Sequence, residues 1–195
     1  MGSTPPRSSS QRPPSSRSVS PRSSSTSTAA PTTAHSALVL AASIGLVAII
    51  AATGAAIGAP GVDGWYEDAA KPMFTPPNAI FGPVWAVLYL SMAIAAWLVW
   101  RRPRSLARTR ALRIYAVQLA LNALWTPAFF GLGAVIGATG LWIALVVIVL
   151  LDFAILAAII RFSDVSRAAA TLLVPYWLWV LFATTLNAAM AVLAT

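Results

Sequence analysis

Five apolar stretches, each near the length that crosses a bilayer, constrain this chain more than any other feature. A hydrocarbon core about 30 Å thick is spanned by ~20 helical residues at about 1.5 Å each. The stretches run over residues 36–57, 78–100, 107–128, 134–160 and 168–193. The expected fold is all-α, an integral membrane bundle of five transmembrane helices. Composition agrees: 58% of the 195 residues are hydrophobic and 9% are charged, against about 25% charged in a soluble domain. The third stretch is the least apolar, and hydropathy alone leaves it open.

The arginines close that gap. Twelve Arg and one Lys face five acids, for a net charge of +8. With five spans, residues 1–35, the Arg101–Arg113 connection and the Arg161–Arg167 connection share one side and hold all twelve arginines, leaving Lys71 alone opposite. Removing the third span would split the arginines between the two sides. Cytoplasmic connections carry an excess of Lys and Arg, so the N-terminus is expected in the cytoplasm and the C-terminus outside. This placement favours a membrane over nucleic acid as the partner of the basic charge.

Residues 1–35 are rich in Ser, Thr, Pro and Arg and contain no acid. Such a segment buries too little apolar surface to offset its ordering entropy, and it reads as a disordered tail. Its six prolines fit an amphipathic transit helix poorly, which makes a cleaved targeting segment the second choice. The membrane domain is expected to occupy residues 36–195. The absence of cysteine excludes disulfides, thiolate metal sites and a thiol nucleophile.

The two connections opposite the arginines differ in character. The first, Gly58 to Thr75, is long and carries Asp63, Trp65, Tyr66, Glu67, Asp68 and Lys71. Trp65, Tyr66 and Pro72 make it a candidate lid over a bundle mouth, with an interfacial aromatic anchor as the alternative. Thr75 is expected to cap the second helix, with Pro76 at its first position. The second connection, near Gly131 to Gly137, is expected to be a short glycine-rich loop.

Polar residues inside a membrane are costly and need a partner or a task. Gln118, Asn122, Trp125 and Phe129 share one face of the third helix by their spacing. Trp142, Leu145, Val149 and Asp152 share one of the fourth. Tyr176, Trp179, Ala183, Leu186 and Met190 share one of the fifth, and Trp85, Leu88, Tyr89 and Met92 one of the second. At about 1.5 Å per residue, Trp85, Asn122, Trp125 and Trp142 fall in the outer half. Asp152, Gln118, Tyr115 and Tyr176 fall at mid-depth or below. Two layers are expected: an outer aromatic pocket for a flat apolar ligand, oriented by Asn122, and an inner polar cluster of Asp152, Gln118 and Tyr176. In that cluster Asp152 is expected to hydrogen-bond Gln118 or a tyrosine, with proton relay as the alternative.

Other signals are weaker. Trp97 and Trp100 flank Arg101 and read as interfacial belt residues. Gly54 and Gly58 allow close helix approach, either within the bundle or between two copies. Pro83, Pro127 and Pro175 are expected to kink their spans. His35, the one histidine of the sequence, sits at the membrane edge and not in any cluster of ligating residues, so no metal site and no haem ligand are expected in the core, and no catalytic residues are assigned.

Several motifs carry a family resemblance. Gly64-Trp65-Tyr66, Lys71-Pro72, Thr75-Pro76-Pro77 and Phe81-Gly82-Pro83-Val84-Trp85 with Leu88-Tyr89 resemble the first loop and second helix of the TspO/MBR family. These are the tryptophan-rich sensory proteins related to the mitochondrial translocator protein. Leu121-Asn122, Trp125-Thr126-Pro127 and Phe129-Phe130-Gly131 resemble its third-helix motif. Pro175-Tyr176, Trp179, Phe182-Ala183-Thr184 and Leu186-Asn187 resemble its fifth. The resemblance covers about residues 37–190 and leaves out the tail.

It implies five helices, frequent homodimers and a cavity for porphyrins and other tetrapyrroles as ligands, with no obligatory cofactor. Carried over by position, ligand-lining roles fall on Trp85, Asn122, Trp125, Trp142, Trp179 and Ala183, with Phe81, Gly82, Val84 and Leu186 beside them. Trp179 is expected at the cavity floor. The sterol-recognition segment of animal members needs a Tyr and then a basic residue, and neither follows Leu186-Asn187 here. A sensor or regulator of tetrapyrrole handling is the favoured function. A porphyrin transporter and a light-dependent porphyrin-degrading enzyme are the alternatives.

Overall fold

The computed structural model describes residues 1–2 and 33–195; the tail expected over residues 1–35 therefore lies almost wholly outside the described residues. Among the described residues seven α-helices follow one another: α1 Thr33–Val62, α2 Trp65–Asp68, α3 Asn78–Trp100, α4 Leu106–Thr126, α5 Gly133–Ile136, α6 Ala138–Ser163 and α7 Arg167–Leu193. A π-helical segment, Pro127–Leu132, joins α4 to α5. Taken as one, Leu106–Ile136 is the third of five helices long and apolar enough to cross a membrane. The chain is thus a five-span helical membrane bundle.

Local sequence explains several boundaries. Ser105 caps α4, its hydroxyl accepting from the Arg108 N–H at 3.1 Å. Ser166 caps α7 in the same way through the Ala169 N–H. Both satisfy a donor that the first helical turn leaves open. The second span departs from the expected start. It begins at Asn78, and its N-cap is Pro77, with ψ 140° and no side-chain cap. Pro77 excludes its predecessor Pro76 from the helical region, so the helix starts only beyond the pair. Thr75 closes a turn instead, its N–H and hydroxyl both donating to the Pro72 carbonyl, at 3.0 and 2.7 Å.

The third span also differs. Pro127 supplies no N–H, and its ring crowds the carbonyl one turn back. The backbone widens into the π segment there, a common response at such a point, and the helix continues to Ile136 instead of stopping near Ala128. Most of the expected glycine loop is therefore helix. Only Gly137, at φ 58°, turns the chain into α6. Gly140 is needed for contact: a Cβ there would lie 2.4 Å from the Leu132 carbonyl.

The spans close into a ring in which α1 touches α3, α3 touches α7, α7 touches α6, α6 touches α4, and α4 with its π segment returns to α1. Helix α1 is the least embedded; Val47, Gly58 and Gly61 are its buried residues. It is pinned at both ends. The Trp97 indole donates to the Ser36 carbonyl at 2.9 Å, and Gly54, Gly58 and Gly61 face Thr126 and Phe130 closely enough that added methyls would touch them. The glycine pair thus serves packing within the bundle.

In α6 the face chosen from Trp142 and Asp152 is displaced from the packed one. The packed face is Leu141, Ala144, Ile148, Leu151, Ile155, Ala158 and Phe162, all buried. Trp142 is 44% exposed and Val149 37%. Nearly every side chain of α6 is apolar, and lipid accepts any of them, so periodicity gave no azimuth.

Candidate functional site

A cavity of about 500 Å³ opens at the end of the bundle opposite the arginines of the α3–α4 and α6–α7 connections. Each element contributes for a local reason. Helix α1 supplies Ala51, Gly54, Ala55 and Gly58, which give room and no functional group. Phe81, Gly82, Trp85 and Tyr89 enter from α3, at helical spacing on one face. Asn122, Trp125 and Thr126 come from α4, and Phe129 and Phe130 from the π segment. Ala183, Leu186, Asn187 and Met190 come from α7, and Asp63 and Tyr66 from the connection between α1 and α3.

Aromatic rings form the walls. Trp125 and Phe129 lie 5.4 Å apart between centroids, and Trp85 and Tyr89 also lie 5.4 Å apart. Tyr66 meets Phe129 and Phe130 edge-on. Such tilted and T-shaped contacts suit the ring quadrupole and hold the rings in place without a ligand.

The floor is a directed hydrogen-bond chain. The Tyr89 hydroxyl donates to Oδ1 of Asn122 at 2.7 Å. Nδ2 of Asn122 donates to the Tyr176 hydroxyl at 3.0 Å, which donates to Oε1 of Gln118 at 3.0 Å. The two expected layers are thus joined through Asn122. Beside them the Trp125 indole donates to Oδ1 of Asn187 at 3.2 Å, and Nδ2 of Asn187 donates to the Leu141 carbonyl at 2.9 Å. In a medium without water these bonds satisfy groups that would otherwise be costly to bury. Asp152 stands apart from the chain. Its Oδ2 accepts from the Thr184 hydroxyl at 2.7 Å in place of the expected Gln118 or tyrosine, because Thr184 lies across the tight α6–α7 contact.

Of the residues singled out from sequence, Phe81, Gly82, Trp85, Asn122, Trp125, Ala183, Leu186 and Tyr66 line the cavity. Gln118 and Tyr176 lie buried beneath it. Others stand elsewhere. Trp142 lies on the outward face of α6. Trp179 packs behind Phe81, with ring centroids 5.7 Å apart, and does not form the floor. Val84 is half-buried against the core, and Pro72 holds the turn with Thr75. Trp65 donates from its indole to the Phe130 carbonyl at 3.0 Å and lines a second cavity of about 250 Å³ with Gly133, Leu141 and Met190. Met190 borders both cavities and separates them.

Tyr89 and Asn187, named in the sequence only as part of a helix face and of a motif, were given no ligand-lining role, although polar groups inside spans flag them. Ala51 and Ala55 of α1 carry no such signal, since they offer only space.

Among the described residues no Lys, Arg or His lines the larger cavity, and its one carboxylate is that of the exposed Asp63. The nearest cation on this end is Lys71, whose Nζ sits 4.6 Å above the Tyr66 ring and donates to the Glu67 carbonyl. Burial raises the Tyr66 phenol above its ordinary pKa, so the group beneath Lys71 is neutral at physiological pH.

Residues 42–193 match the TspO/MBR family. The chain is 38% identical over 156 residues to the tryptophan-rich protein TspO of Archaeoglobus fulgidus, which covers 80% of this chain and 97% of that protein. It is 39% identical over 125 residues to the translocator protein of Homo sapiens, covering 63% and 70% of the two. It is 38% identical over 140 residues to the tryptophan-rich sensory protein of Cereibacter sphaeroides, covering 68% and 83%.

Proposed function

The chain belongs to the TspO/MBR family, and from that premise we propose that it binds a protoporphyrin-like tetrapyrrole in the aromatic cavity and acts as a sensor or regulator of tetrapyrrole handling. The carrying observation is the cavity itself. Its volume of about 500 Å³ falls within the range of small-molecule sites, about 300–1,000 Å³. Its walls present Trp85, Trp125, Phe81 and Phe129, whose faces suit a flat apolar ring system. Its floor offers Asn122 and Tyr89, uncharged groups that orient a ligand and repel neither a neutral macrocycle nor its metal complex. Ala183, Gly82 and Leu186 add further wall, and Tyr66 lines the cavity from α2.

The chain Tyr89–Asn122–Tyr176–Gln118 spans α3, α4 and α7 directly below the cavity. That closure supports a ligand held in place over one passed through the bundle. In the same reading the arginine-rich end faces the cytoplasm, the cavity opens on the opposite side, and two copies associate as a homodimer.

The test is a protoporphyrin titration followed by tryptophan quenching, with wild type and the double variant Trp85→Ala/Asn122→Ala in detergent. The expected result is saturable quenching in wild type and at least a roughly tenfold loss of affinity in the double variant, about 1.4 kcal/mol. Equal affinities would remove the assignment of the site.

A further inference from the structure

The end of the bundle opposite the cavity carries a second recognition surface. Between Arg101 and Arg113, six arginines fall on the turn from α3 into α4 and on the first turns of α4. Arg101, Arg102, Arg104, Arg110 and Arg113 are exposed and Arg108 is half-buried. Among the described residues the only ion pair is Arg161 with Asp164, at 3.8 Å. The cluster on the α3–α4 turn therefore has no acidic partner there, although like charges this close repel one another.

The packing holds part of this charge at a defined height. The Arg101 guanidinium lies 4.5 Å from the Trp97 ring centroid, and that of Arg108 lies 5.6 Å from Trp100. Nη1 of Arg108 donates to the Arg102 carbonyl at 3.0 Å, which folds the side chain back over the turn. Trp97 is itself fixed by its bond to Ser36. Indole rings at the end of a membrane-crossing helix mark the headgroup level, so the guanidiniums stacked on them sit at that level too. A planar guanidinium suits a phosphate oxygen pair. Exposed Leu106, and exposed Leu38 on α1 near the Ser36–Trp97 contact, add apolar surface beside the arginines, which an acyl chain matches and a soluble polyanion does not.

We propose that the α3–α4 turn is a binding site for the phosphate of an anionic phospholipid, held by Arg101, Arg102 and Arg108, with the acyl chains along the adjoining helices. The site is independent of the cavity and of what the cavity binds.

The experiment is native mass spectrometry of the full chain in detergent, titrated with phosphatidylglycerol or with phosphatidylcholine of the same acyl length. Wild type is expected to retain phosphatidylglycerol at least roughly tenfold more tightly, the attraction of a few arginines near one headgroup. Arg101→Gln/Arg102→Gln/Arg108→Gln is expected to lose that preference, and Arg161→Gln, which leaves the turn intact, to keep it. Circular dichroism checks that each variant is helical. If the triple variant does not accumulate, Arg108→Gln alone is expected to give a smaller loss in the same direction. Equal retention of the two lipids by wild type, or a preference that survives in the triple variant, would overturn the proposal. So would displacement of the lipid by an equal concentration of inorganic phosphate, which would mark a free-anion site.

Discussion

The Tyr89 hydroxyl donates to Oδ1 of Asn122 at 2.7 Å, tying α3 to α4 at the bottom of the cavity. Asn122 in turn supplies the hydrogen that Tyr176 accepts. Tyr89→Phe removes one link and leaves Asn122 its other bond. We expect it to lower stability by about 0.6–1.7 kcal/mol, the range of such bonds between membrane helices. Asn122→Ala breaks both links, and a larger loss, about 1–3 kcal/mol, is expected from the groups left unpaired. Reversible unfolding in mixed micelles measures both; equal losses would deny Asn122 its central place.

Glycine positions separate packing from turn. Gly140→Ala would put a methyl 2.4 Å from the Leu132 carbonyl, where backbone has to shift, and a loss of about 1–3 kcal/mol or more is expected. Gly131, with nothing within 4 Å of its would-be Cβ, is expected to accept Ala without loss. Thermal unfolding of the two variants side by side checks the contrast.

Trp125 and Trp142 provide a matched pair for the ligand reading. Trp125 lines the cavity and Trp142 faces outward. Trp125→Ala is expected to weaken protoporphyrin binding by up to roughly tenfold, the contribution of one aromatic contact. Trp142→Ala is expected to leave the affinity unchanged. The reverse order in a quenching titration would move the site to the outer face of α6.

Lys71 is the cation at the cavity end, and it rests on the ring of Tyr66. With no basic residue in the cavity wall, the acid groups of a tetrapyrrole are expected to point to the mouth. Lys71→Gln should then weaken the diacid by up to about fivefold, as exposed charge pairs do, and leave the dimethyl ester unaffected. The difference should vanish in high salt. A parallel loss for acid and ester would reject the role of Lys71.

The sequence by itself determined five spans and their order, because length and hydropathy are local properties that the bilayer reads directly. It also supplied the inward face of α4, where Gln118 and Asn122 cannot face lipid and so mark the interior. The family motifs pointed to most of the cavity wall, including Trp85, Trp125 and Ala183. What tertiary structure decided was azimuth and partnership. Leu141 faces inward and Trp142 outward because α6 packs a heptad of apolar side chains against its neighbours, and no hydropathy scale separates that stripe from the rest of the helix. Asp152 meets Thr184, and Trp179 stands behind Phe81, because of how α3, α6 and α7 sit against one another. The third span runs through Pro127 because the π segment finds contacts with α1, α4 and α6 that offset the missing hydrogen bond. Gly54 and Gly58 serve the bundle because Thr126 and Phe130 come to meet them. Each of these depends on contacts between residues far apart in the chain, and a linear pattern carries no record of which distant side chain will be there.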